Sequence, residues 1–103
     1  MSTVLEKDFQ RAVQDALSIF GWRWAHYRAA RTEQGWRTPL SGDPGLPDLI
    51  AVRGERLLYA ELKSARGRLG PGQGEWLAAL AGAGVETYLW RPQDWARIDE
   101  VLR

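Results

Sequence analysis

The chain has 103 residues, 45% hydrophobic and 26% charged, an ordinary globular mixture with room for one domain over residues 1–103. It has no Cys, so disulfides and thiolate metal sites are excluded, and a metal could be held only by oxygen or by the single His26. The net charge of +1 says little, but residues 1–70 carry a net +3, residues 71–103 a net −2, and twelve of the fourteen basic residues are Arg, whose planar fork suits phosphate.

No apolar run approaches the length of a membrane span, and the start MSTVLEKDFQRAV has no apolar signal core. With no Cys, this makes the cytoplasm the expected setting. Six Trp residues in so short a chain are expected to bury large apolar areas or to serve a partner interface.

Residues 4–20 read as an amphipathic helix, with Leu5, Phe9, Ala12, Val13, Ala16, Leu17 and Phe20 on one face. Thr3 with Glu6 makes a capping box at its start, and Gly21 ends it. Residues 22–28 alternate bulky aromatic with small or polar residues, as a strand does, and residues 29–46 lack any period and read as a long loop. Residues 47–53 and 56–63 read as two strands of a hairpin turning at Gly54-Glu55. A basic, Gly-containing loop follows at 64–70. Pro71 opens a helix that ends near Gly82 or Gly84, residues 85–90 form a strand, and Pro92 opens a last helix through Leu102. The order α-β-β-β-α-β-α places this chain in the α/β class, and the strand–helix–strand step around residues 71–82 implies a mixed, partly parallel sheet flanked by helices.

The chemistry concentrates in the hairpin. A tight turn at Gly54-Glu55 sets Asp48 nearly opposite Glu61, and Lys63, two residues on, shares the face of Glu61. Two facing carboxylates repel unless a positive charge lies between them. A hard divalent cation such as Mg²⁺ is the natural answer, since it takes one or two carboxylates and keeps several waters. It can polarise a phosphoryl oxygen and activate water, while Lys63 orients or deprotonates that water and offsets transition-state charge.

The run GLPDLIAVRGERLLYAELKSARGRLGPGQGEWL resembles the VRR-NUC branch of the PD-(D/E)xK nuclease superfamily, above all the small stand-alone members of phages and bacteria. The likeness runs from Glu6 to the final WRPQDW segment. It implies a restriction-endonuclease-like core, Mg²⁺ dependence with Mn²⁺ as a substitute, and cleavage of structured DNA, four-way (Holliday) junctions included, by a homo-oligomer, expected here to be a dimer in a bacterial or phage-infected cell. The family's metal-binding Asp matches Asp48, its E-x-K acid and lysine match Glu61 and Lys63, and the intervening Leu62 lends its backbone carbonyl to the metal. Its helix glutamine matches Gln73, which braces the site. An acidic residue on the first helix matches Glu6, with Gln10 one turn further along the same side. The stretch Arg31 to Asp43 does not align with the family's pattern.

Some residues carry two readings. Glu6 is a metal ligand, half of a capping box with Thr3, or both. His26, alone in an aromatic strand, reads as a packed or strand-face residue before it reads as a ligand. Arg66 and Arg68, directly after the active-site strand, read as phosphate contacts, with Lys7, Arg11 and Arg28 as a second DNA track. Trp76, Trp90 and Trp95 read as core or subunit interface. For the whole chain the alternatives to an active nuclease are a non-catalytic DNA-binding or regulatory module of the same fold, and a small protein-interaction subunit. An intact Asp48, Glu61, Lys63 set favours the nuclease.

Overall fold

Phe9, Val13, Ala16 and Leu17 recur with the spacing of one helical face, and they are the buried residues of helix α1 (Glu6–Ile19). The helix ends where the sequence predicts. Gly21 has φ of 81°, a left-handed conformation open to Gly without a Cβ penalty. The chain then turns so that the Trp22 N–H reaches Leu17 O at 2.8 Å and the Gly21 N–H reaches Ser18 O at 3.2 Å, closing a glycine C-cap. The start differs from the expected capping box. Leu5 is the N-cap and makes no side-chain cap bond, so Glu6 is the first helical residue rather than the third. Thr3 lies outside the described residues, which in this computed structural model are 5–27, 30–32, 35–37 and 40–103, the two short segments for their backbone only.

After α1 come β1 (Arg23–His26), β2 (Ala30–Thr32), β3 (Gly35–Arg37), β4 (Leu49–Arg53), β5 (Arg56–Leu62), helix α2 (Gln73–Gly82), β6 (Glu86–Trp90), a 3-10 turn (Pro92–Asp94) and helix α3 (Trp95–Leu102). The stretch expected to be one long loop thus contains an antiparallel ribbon, β2 with β3. Three-residue strands give too few positions for an alternation to show in the sequence. Pro71 is not the first helical residue. It precedes Gly72, the N-cap of α2, which has φ of 79°.

The other four strands form one mixed sheet in the order β1-β4-β5-β6. β4 pairs antiparallel with both β1 and β5, and β6 runs parallel to β5 after α2 carries the chain across. Side chains alternate between the faces. Leu49, Ala51, Leu58, Ala60 and Leu62 are buried with the apolar residues of α1 and with Ile98, Val101 and Leu102 of α3, and Trp22 and Trp90 join the same core. Helix α2 packs on β6 and belongs to the opposite face, the one that carries Glu61. It buries none of its residues. On that second face Val52 and Leu57 are exposed and Ile50 and Tyr59 half-buried, so the second face is less covered than the first. Trp76 is half-buried and Trp95 exposed, unlike Trp90.

The hairpin arginines have structural work. Arg53 donates to Leu102 O at 2.9 Å, Phe20 O at 3.0 Å and Arg103 O at 3.2 Å, and Arg56 donates to Val101 O at 3.2 Å. Both guanidinium groups lie over the Trp22 ring, 4.6 and 4.9 Å from its centre. They place positive charge on the carbonyls that end α1 and α3, where a helix dipole is negative. Arg56 also pairs with Glu86 through two bonds of 2.8 Å. This fastening fixes the closed end of the hairpin and so the position of its open end. Among the described residues no helix is long and apolar enough to cross a membrane.

Candidate active site

The open end of the β4–β5 hairpin gathers the acidic residues. The register pairs Arg53 with Arg56 and Leu49 with Ala60, and its next step sets Asp48 against Glu61, as the turn position predicts. Asp48 follows the fully buried Pro47 and leaves the ladder with both of its polar ends held. Its carbonyl accepts the Tyr27 N–H at 2.6 Å, and its Oδ1 accepts the Leu62 N–H at 3.1 Å. The carboxylate therefore takes up an N–H just beyond the last strand pair.

Glu61 is 4% exposed. Its Oε2 accepts a hydrogen bond from Gln73 Nε2 at 3.0 Å and faces Lys63 Nζ at 3.7 Å. Its Oε1 is buried with no hydrogen-bond partner among the described residues. Burial first, and the neighbouring Asp48 second, push its carboxyl up to about 7, against the opposing pull of Lys63. An unpaired buried acceptor costs on the order of 1–3 kcal/mol. A divalent cation placed between this oxygen and Asp48 would satisfy it and reverse the electrostatic penalty, so the residues present fit such an ion.

Gln73 sits where it does because two backbones touch. A Cβ on Gly45 would lie 2.3 Å from the Gly72 carbonyl carbon, and one on Gly72 would lie 2.1 Å from Pro44 O. Only glycines permit that approach, which presses the loop before β4 onto the first turn of α2. Gln73 Oε1 also accepts the Gly70 N–H at 2.6 Å. The loop, Tyr27, Asp48, Glu61 and Gln73 line an open cavity of about 410 Å³.

His26 is bound to the site, which the sequence reading did not expect. Its ring is 3% exposed, with Nε2 3.2 Å from Asp48 Oδ2 and Nδ1 3.2 Å from Gln14 Nε2. Gln14 escaped the sequence reading, although it continues the four-residue spacing of Glu6 and Gln10 along α1. The structure does not gather Glu6 with Asp48 and Glu61: Glu6 is exposed at the start of α1, and the described residues include no group of three or more His, Asp or Glu able to hold a metal. Gln10 is half-buried on α1, and Lys7 and Arg11 are exposed on it. Arg66 and Arg68 are exposed in the loop after β5, which Arg91 and Gln93 tie down through Ser64 O at 2.8 Å and Ala65 O at 3.1 Å. Arg28 lies outside the described residues.

The VRR-NUC domain matches residues 7–93, most of the chain and all of the hairpin. The chain belongs to the VRR-NUC family. Its fold is likewise similar to that of Hjc from Archaeoglobus fulgidus, a Holliday junction resolvase from an archaeal hyperthermophile, with a TM-score of 0.54, 24% identity, and coverage of 84% of this chain and 69% of that one. That likeness is one of nuclease-like fold. No curated protein sequence matches the chain. The match includes Glu61 and Gln73, which are bonded to each other.

Proposed function

We propose that this chain is a metal-dependent endonuclease that hydrolyses phosphodiester bonds in branched DNA, four-way junctions among them, with Mg²⁺ as the working ion and Mn²⁺ as its substitute. The observation that carries the reading is Glu61 Oε1, a carboxylate oxygen buried beside Asp48 and Lys63 without a partner among the described residues. Asp48, Glu61 and the Leu62 carbonyl would hold the ion. A strand residue projects its N–H and C=O to the same side, and the Leu62 N–H already points at Asp48.

When bound, the divalent cation supplies a Lewis acid for a phosphoryl oxygen and a water of lowered pKa. The chain supplies the rest. Gln73 and Lys63 hold Glu61 from two sides, so its free oxygen keeps one direction. The Lys63 ammonium beside Glu61 orients the attacking water and offsets negative charge growing on the phosphoryl oxygens. The cavity beside Asp48 and Glu61 admits the backbone. Arg66 and Arg68 hold neighbouring phosphates, with Lys7 and Arg11 as a second track.

Branched DNA as the substrate rests on the fold shared with Hjc. A homodimer fits it, because a junction offers two scissile strands and a twofold assembly presents two sites. The incompletely covered sheet face around Val52 and Leu57, next to the exposed flank of α2, suits a second copy. The deciding experiment incubates the protein with duplex, flap and four-way junction DNA in Mg²⁺ or EDTA. Junction cleavage in Mg²⁺ and none in EDTA is expected. Tight binding without cleavage under any divalent metal would instead favour a non-catalytic DNA-binding module.

A further inference from the structure

We propose that His26, set by Gln14, is a positioning residue for Asp48: its Nε2–H fixes the carboxylate in the orientation that receives the cation. The inference rests on the metal-site reading above and adds a role for Gln14 of α1.

Three elements meet in a line. Gln14 of α1 reaches His26 of β1 at 3.2 Å, and His26 reaches Asp48, just before β4, at 3.2 Å. The ring is 3% exposed, so solvent does not satisfy its nitrogens and each needs a protein partner. The direction of each bond follows from what each group can offer. An ionised Asp48 only accepts, so Nε2 must carry the proton. With one proton on the ring, Nδ1 is then an acceptor, and it faces the amide nitrogen of Gln14, a donor without charge. Gln14 therefore selects the tautomer that Asp48 requires.

The consequence falls on Asp48. Its Oδ1 accepts from Leu62 N–H and its Oδ2 from His26. A carboxylate has about four lone-pair positions, so each oxygen keeps one for a cation. Bonds to both oxygens also stop rotation about the last side-chain torsion, which is broad for Asp. Held by Leu62 alone, the group would be free to turn its second oxygen. Partners outside a metal's own ligands orient those ligands in this way.

The test measures Mn²⁺ affinity of the protein alone by electron paramagnetic resonance, together with the half-saturating Mn²⁺ for junction cleavage and the melting temperature. His26→Leu removes the donor. His26→Gln keeps an amide N–H near the place of Nε2, whereas His26→Asn places it near Nδ1. His26→Leu and His26→Asn are expected to weaken Mn²⁺ binding by about 10–100-fold. They should raise the half-saturating Mn²⁺ by a similar factor while leaving kcat at saturating metal nearly unchanged. His26→Gln should restore most of the affinity, and Gln14→Leu should lose less than His26→Leu. Should His26→Leu not fold, the Gln and Asn variants decide between them. Equal Mn²⁺ affinity in wild type and His26→Leu, or in the Gln and Asn variants, overturns this inference and leaves the metal site standing. Wild-type protein that binds no Mn²⁺ removes the metal-site reading and this inference together.

Discussion

Gln73, the first residue of α2, donates to Glu61 Oε2 at 3.0 Å while accepting the Gly70 N–H at 2.6 Å, so a single side chain ties the loop before α2 to the acid on β5. Gln73→Leu breaks both bonds. It is expected to reduce Mg²⁺ affinity or cleavage by about 10–100-fold, the usual effect of losing a group that orients a metal ligand. Titration of junction cleavage against Mg²⁺ checks it. A variant that cuts with an unchanged metal dependence would show that Glu61 holds its place without Gln73.

The hairpin site was legible in the sequence because one turn determines it. Gly54-Glu55 fixes the register, and a register fixed by a turn cannot slip without turning every side chain to the wrong face. Leu58, Ala60 and Leu62 are buried as the alternation requires. The start of α2 was misplaced because Pro71 resembles a first helical residue, while the true boundary depends on the contact of Gly72 with Pro44 and Gly45, far away in sequence. The β2–β3 ribbon is too short to leave a period. The Gln14–His26–Asp48 line was invisible for a similar reason. Its members sit on three elements, and nothing in the local pattern around His26 separates a packed ring from one bonded to a carboxylate.

Glu61 should make stability depend on pH. Burial, with Asp48 adding to it, raises its carboxyl from an ordinary 4.5 to about 7 in the folded chain. Across that window the folded state keeps a proton that the unfolded state has released. Its contribution to stability is therefore fully present below the lower value and is lost as pH rises through the upper one. Urea denaturation in EDTA should show wild type losing stability across the window relative to Glu61→Gln, which has no proton to lose. Divalent metal should offset the loss as pH rises, since only the ionised carboxylate binds it. Parallel pH curves for the two proteins in EDTA would mean that Glu61 ionises as freely in the fold as out of it.

Lys63→Ala should separate binding from chemistry. Lys63 stands 3.7 Å from Glu61 and is assigned to water and developing charge rather than to affinity. Cleavage is expected to fall by on the order of 10²–10³, with junction binding in Ca²⁺ retained. Single-turnover rates measured beside a binding isotherm provide the check, and a wild-type cutting rate would make Lys63 a structural residue.

The exposed loop after β5 carries the DNA prediction. Replacing both Arg66 and Arg68 by Ala should weaken binding to every DNA structure about equally, because phosphate contacts carry no sequence information. The slope of log affinity against log salt should become shallower by roughly one to two. Melting should change little, since exposed loop substitutions usually cost less than about 0.5 kcal/mol. A salt titration in Ca²⁺ decides, and an unchanged slope would move the DNA track to Lys7 and Arg11 on α1.

The most direct test of the central claim is the anomalous difference density of a crystal soaked in Mn²⁺. The account predicts a peak between the Asp48 carboxylate and Glu61 Oε1, within bonding distance of the Leu62 carbonyl, and its loss in Glu61→Gln. A peak elsewhere, or no peak in wild-type crystals that remain intact, would contradict it.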